Sequence, residues 1–99
     1  MKTKLVIHEG ADDDFVEAYL WYAKQSRRAA ERFETLVREA FDRIESDPTG
    51  GTAYDEIHRF YRLKKFPHLV IYRYSAADNE ALVVAVAHPS RDQAYWRNR

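Results

Sequence analysis

Two groups of side chains in this sequence could do chemistry. The first is a run of cations set among rings in Ile57–Tyr74, IHRFYRLKKFPHLVIYRY, where Arg59, Arg62, Lys64, Lys65 and Arg73 are interleaved with Phe60, Tyr61, Phe66, Tyr72 and Tyr74. Guanidinium and ammonium groups hold anions, and guanidinium planes also stack on flat groups, so the run suits an anionic or ring-bearing partner. The same pattern describes a solvated strand face whose Lys and Arg stems lie over apolar surface. Residue chemistry alone leaves both readings open. The second group is His88, Arg91, Tyr95, Trp96 and Arg97. A histidine can move a proton, an arginine can clamp phosphate or offset developing charge, and a ring can stack. His88 directly before Pro89 equally suits a strand-end residue that caps by hydrogen bonding. His8 and His58 have no partners at metal-ligand spacing. Asp12-Asp13-Asp14 has no second acidic cluster to complete a cation site. No metal and no cofactor is expected.

Bulk composition narrows the classes. Ninety-nine residues, 45% hydrophobic and 32% charged, are expected to form one domain over residues 1–99 with one modest core. There is no cysteine, which excludes disulfides, thiol catalysis and thiolate metal sites. No apolar run approaches the roughly 20 residues that span a bilayer. MKTKLVIHEG lacks the apolar stretch of a signal peptide. The expectation is a cytoplasmic protein with no membrane partner. Formal net charge is zero, but residues 1–50 carry eight Lys and Arg against eleven Asp and Glu, and residues 51–99 carry eight against five. A protein that grips a polyanion is usually basic throughout, so this balance argues against a general nucleic-acid binder.

The elements that must position these groups follow from periodicity. Lys4–His8 reads as a short strand ended by Gly10. The three acids suit a helix start, with Asp14 and Glu17 spaced as a capping box, and the first helix is predicted from about Asp13 to Lys24. Its apolar face combines Phe15, Tyr19 and Tyr22 with Val16, Leu20 and Ala23, while Trp21 falls off the stripe. Ser26 is the expected N-cap of a second helix from about Arg27 to Ser46, where Ala29, Phe33, Leu36, Val37, Ala40, Phe41 and Ile44 keep the helical period. Asp47–Thr52 is a loop. Ile57–Leu63 and His68–Tyr74 form a hairpin around Lys64-Lys65-Phe66-Pro67. Ser75–Glu80 is a polar turn, and Ala81–His88 is an apolar strand expected to be central and buried on both faces. The segment Ser90–Arg99 either docks on the sheet or stays mobile. The fold class is α+β in the order β-α-α-β-β-β: a helical hairpin packed on one face of a small mixed, mostly antiparallel four-stranded sheet, whose other face can stay open.

Four segments resemble the RelE/ParE superfamily, the toxin components of type II toxin–antitoxin modules. They are the opening strand running into Ala11, Asp14, Tyr19 and Tyr22; Ala29-Ala30-x-x-Phe33-x-x-Leu36; Arg62-x-x-x-Phe66-Pro67-His68-x-Val70-Ile71-Tyr72; and Val83–His88 followed by Arg91-Asp92 and Tyr95-Trp96-Arg97. The Phe-Pro turn and the closing His…Arg-Asp…Tyr-Trp-Arg are similar to the ParE-like, plasmid-stabilization branch. That resemblance implies the fold just described and a toxin that inhibits growth by binding DNA gyrase. It also implies a cognate antitoxin that folds on binding, with the exposed aromatics of the first helix, Trp21 included, as part of the surface it covers. The target-binding residues would be Arg59, Arg62, Lys64, Lys65, Arg73, Arg91, Tyr95, Trp96 and Arg97. The RelE-like alternative implies a metal-independent, ribosome-dependent endoribonuclease acting on mRNA, with Arg62, His88, Arg91 and Tyr95 as its catalytic set. A third reading keeps the fold as a non-toxic binding relative. Toxin–toxin homodimers are compatible with the sequence, which does not fix an oligomeric state.

Overall fold

A computed structural model describes residues 2–99. β1 (Lys4–Ile7) leads into α1 (Glu9–Gln25) and α2 (Arg27–Ser46). Then follow β2 (Thr52–Ala53), β3 (Arg59–Arg62), β4 (Leu69–Ser75), β5 (Glu80–Ala87) and a 3-10 turn, Gln93–Trp96. The sheet has five strands in the order β1-β5-β4-β3-β2. β1 runs parallel to β5, and the other neighbours are antiparallel. The fifth strand, β2, lies at the end of the stretch expected to be loop. It is only two residues long, and its short pairing with Arg59 and Phe60 leaves no periodic signal to read.

The first helix starts earlier than expected. His8 is its N-cap, with Nδ1 accepting the Gly10 N–H at 2.9 Å, and the Ala11 and Asp12 N–H groups reach the His8 carbonyl. Gly10 is therefore helical rather than a strand stop, and the Asp14–Glu17 capping box does not form. Asp14 instead stands more than a turn inside the helix and is buried. Ser26 caps α2 as expected, its hydroxyl accepting the Ala29 N–H at 3.2 Å.

The inward face of α1 is narrower than the sequence pattern suggests. Ala11, Phe15, Ala18 and Tyr22 pack toward α2 and the sheet, with Phe33, Val37, Val70, Tyr72 and Val83 among their neighbours in the core. Val16 and Leu20, expected on that face, point outward beside Trp21, at 45%, 55% and 58% exposure. Val16 stands one position from Phe15 and Leu20 midway between Ala18 and Tyr22, so both fall outside the packed row.

β5 is buried along nearly its whole length, as a strand covered on both faces should be. A bulge at Val84 places Val84 and Ala85 opposite Ile71, so both turn to the face away from the helices. That face is not open. The segment after β5 folds back across it, and Trp96 is fully buried against Leu69, Ile71, Val84, Ala85 and Ala87. The segment docks, and Trp96 is a core residue of a second, smaller cluster. Its indole N–H donates to Gln93 Oε1 at 2.9 Å, which satisfies the one polar group the ring brings inside. Among the described residues no helix is long and apolar enough to cross a membrane.

Candidate functional site

The candidate residues divide among three places. His88, Arg91 and Tyr95 come together in a cleft of about 530 Å³ between α1 and the end of β5, walled on the helix side by Leu20, Trp21 and Tyr22. Arg62 and Lys64 line a different cavity, against α2. Arg59 and Arg73 line a third, beneath the 53–58 loop. The four candidate catalytic residues do not form one constellation, because Arg62 stands apart from the other three. The β3–β4 tip carries Lys64 and Lys65 into solvent, with Lys65 in the left-handed region at φ 67°.

In the cleft, each candidate group is already engaged. His88 Nδ1 faces the Ser90 N–H at 3.1 Å and the Ser90 hydroxyl at 2.6 Å, and the His88 carbonyl accepts the Arg91 N–H and the Gln93 side-chain amide. The ring organises the turn that leaves β5. Arg91 lies over the Tyr95 ring at 3.9 Å. Burial first, then the nearby Asp14 carboxylate, pushes the Tyr95 phenol up to about 12, against the opposing pull of Arg91 and Arg99. Tyr95 thus keeps its proton at neutral pH and cannot serve there as a base. Deeper in, His68 is buried beside Tyr22, Phe33 and His88, and its Nδ1 has no hydrogen-bond partner among the described residues. Burial, then His88, brings its imidazole down to about 4, so it is neutral.

Asp14 closes the floor. β1 pairs with β5 only as far as Val83, so the next groups on that edge of β5 lack a strand partner. Asp14 Oδ2 accepts the Val86 N–H at 3.2 Å, and Arg99 Nη1 donates to the Val84 carbonyl at 3.0 Å. The two side chains also pair with each other at 2.9 Å. A carboxylate and a guanidinium stand in for a missing strand. Gly10 leaves the room: a Cβ there would collide with the Arg99 guanidinium.

On the opposite face, Asp55 organises a second array. Its Oδ1 accepts the Ile57 and His58 N–H groups at 2.9 and 2.8 Å, a local turn that ends the loop before β3 and keeps Ile57 and His58 out of the strand expected to include them. Burial opposes ionisation of Asp55, but these N–H bonds and the His58 side chain outweigh it and hold the carboxyl down at about 2. His58 is buried, with Nδ1 on Asp55 at 3.0 Å and Nε2 facing Arg73 Nη1 at 3.3 Å. A guanidinium can only donate, so Nε2 accepts and Nδ1 carries the proton. Arg97 pairs with Asp55 at 3.1 Å and lies over the Tyr54 and Trp96 rings. Of the expected target-binding set, Arg62, Lys64, Lys65, Arg91 and Arg97 are exposed, Arg59, Arg73 and Tyr95 are half-buried, and Trp96 is inaccessible. Sequence reasoning gives Asp14, Asp55, His58, His68 and Arg99 no place in these arrays. For Asp14 a signal exists: it falls at helical spacing with the buried Ala11 and the inward-facing Ala18.

A helical hairpin packed on one face of a mixed, mostly antiparallel sheet is the architecture the resemblance implies, with five strands in place of four. The chain matches the family described as "ParE toxin of type II toxin-antitoxin system, parDE" over residues 5–93. It belongs to that family, a family of toxins that implies an antitoxin partner. Tyr95, Trp96, Arg97 and Arg99 lie outside the matched span. No curated protein matches the chain.

Proposed function

We propose that this toxin inhibits growth by binding a protein target, DNA gyrase, and that a cognate antitoxin neutralises it by covering the outward row of α1. The observation that carries the first part is the array around Asp55. It holds Arg97 at the surface beside Tyr54, with Arg73 behind it, on a segment fixed by the buried Trp96. Arginine and aromatic side chains on a rigid support are the groups that dominate protein interfaces. Support for the second part is the row Val16, Leu20 and Trp21, which is large, apolar and exposed. A second reading, the mRNA endoribonuclease, draws on one observation: His88, Arg91 and Tyr95 share a cleft. The separation of Arg62, the engagement of His88 with Ser90 and the firmly protonated Tyr95 weigh against it.

The test combines a supercoiling assay with induction of the protein alone in cells. Expected is inhibition of purified gyrase, filamentation with continuing translation, and loss of both in Arg97→Ala. Untouched supercoiling at high molar excess, with translation arrest and cut mRNA abolished by His88→Ala or Arg91→Ala, would replace gyrase with the ribosome. No growth arrest would leave the non-toxic binding relative.

A further inference from the structure

Arg99 touches both faces of the molecule, with a different group on each. Its guanidinium is on the α1 side, paired with Asp14 and the Val84 carbonyl. Its main-chain oxygen is on the other side, accepting Arg73 Nη2 at 2.7 Å. Arg73 turns its other terminal nitrogen to His58, His58 binds Asp55, and Asp55 binds Arg97. We propose that Asp14 is a positioning residue for the cationic face around Arg73 and Arg97, acting through Arg99, and that it thereby couples the α1 cleft to the opposite face of the sheet. The proposal rests on the reading of that face as the one that contacts the target.

The chemistry of each link makes the path directional. Arg73 is half-buried, and among the described residues no carboxylate side chain lies within ion-pair distance of it. Its guanidinium is held by two acceptors, the Arg99 oxygen and His58 Nε2. Losing the first leaves a single long contact at 3.3 Å. The Arg99 oxygen, in turn, is placed by the Arg99 side chain and by one backbone bond, from the Arg99 N–H to the Trp96 carbonyl at 3.1 Å. The Arg99 side chain is fixed by Asp14 and by the Val84 carbonyl, and Asp14 itself is set by α1, the Val86 N–H and the Tyr95 hydroxyl. Trp96 does not depend on this path, because its burial is apolar and its N–H is satisfied by Gln93. The segment therefore stays docked when Asp14 loses its charge, with Arg97 still paired to Asp55, while Arg99 and the Arg73 guanidinium lose part of their support. Asp14 and Tyr95 both line the cleft, so the path begins where a partner seated against α1 would press.

The experiment uses the full chain. Asp14→Asn keeps an oxygen for the Val86 N–H and removes the charge that pairs with Arg99. Ser26→Ala, which removes the N-cap of α2 far from this path, serves as a control for simple loss of stability. NMR of the Arg73 side-chain N–H and amide exchange of residues 97–99 are read in the free protein. Expected in Asp14→Asn are a displaced Arg73 resonance and at least tenfold faster exchange at Arg99, with α2 amides unchanged. Arg99→Ala should give the same shifts, and the double variant should add nothing further, as expected of residues acting in one path. Unmoved Arg73 resonances in Asp14→Asn, or equal shifts in Ser26→Ala, would overturn the proposal. These readouts need no target, so a protein that leaves gyrase untouched defeats the functional reading while the coupling is judged separately.

Discussion

Gly10 and the Arg99 guanidinium approach so closely that a side chain on residue 10 would take the same space. A glycine inside a helix is unfavourable by about 1 kcal/mol relative to alanine. Here it makes room for a pairing between two segments far apart in the chain. Gly10→Ala should lower thermal stability, because displacing Arg99 leaves the buried Asp14 carboxylate without its charged partner, which outweighs the gain in helix propensity. The same variant should expel Arg99 from Asp14. The check is calorimetry together with amide exchange at Arg99. An unchanged or raised melting point with Arg99 still protected would contradict it.

Trp96 yields the largest predicted loss of stability. It is fully buried and central to the cluster behind the sheet. Truncating a buried tryptophan leaves a cavity and forfeits its contacts, at roughly 3–5 kcal/mol. Trp96→Ala should lower the urea midpoint accordingly and free residues 93–99 for proteolysis. Arg97→Ala, at an exposed position, should change stability by less than about 1 kcal/mol. If the two variants were equally stable, the docked arrangement of this segment would be wrong.

How much of this was legible in the sequence differs by element. α2 was readable almost to the residue, because its apolar period is unbroken and Ser26 marks its start. β5 was readable because a continuous apolar run flanked by a polar turn and a proline has few other uses. The start of α1 was not, because the cap is a histidine ring rather than one of the usual short polar side chains, and three acids in a row offered a plausible later start. The site was legible in type and not in place. Residue chemistry marks Tyr95, Arg91 and His88, which share a cleft, and equally marks Arg62, which lies by α2. Asp14 with Arg99 and Asp55 with Arg97 act through pairing across the fold. Such side chains carry no local signal of the partner, and the strand order that brings them together rests on long-range pairing.

The outward row of α1 makes a contrasting prediction. Leu20 is more than half exposed, so Leu20→Ser removes little packing and should alter the stability of the free protein by no more than about 0.5 kcal/mol. If the antitoxin covers this row, the same change should weaken its binding about tenfold or more, or roughly 1.4 kcal/mol, as expected for an apolar anchor at an interface. Titration calorimetry with the cognate antitoxin distinguishes the cases, and unchanged affinity in both Leu20→Ser and Trp21→Ala would move the antitoxin elsewhere.

His68 supplies a dependence on pH with a definite sign. Its ring is buried among Tyr22, Phe33 and His88, and burial first, with His88 second, lowers its imidazole from 6.5 to about 4. Between those values the unfolded chain binds a proton at this position and the folded chain does not, so folding stability rises with pH across that window. The contribution is complete above pH 6.5 and is lost as pH falls toward 4. Going from pH 7 to pH 5 should remove about 2 kcal/mol through this one group, since one proton bound only by the unfolded chain changes stability by about 1.4 kcal/mol for each pH step inside the window. Asp55, held near 2, adds no slope there, because its own contribution is lost only below the ordinary carboxylate range. His68→Phe places an apolar ring in the same aromatic surroundings and removes the titration. Urea midpoints of the two proteins at pH 7 and pH 5 should therefore diverge on acidification, the wild type falling further. Parallel decline in both would show that His68 is not the group responsible.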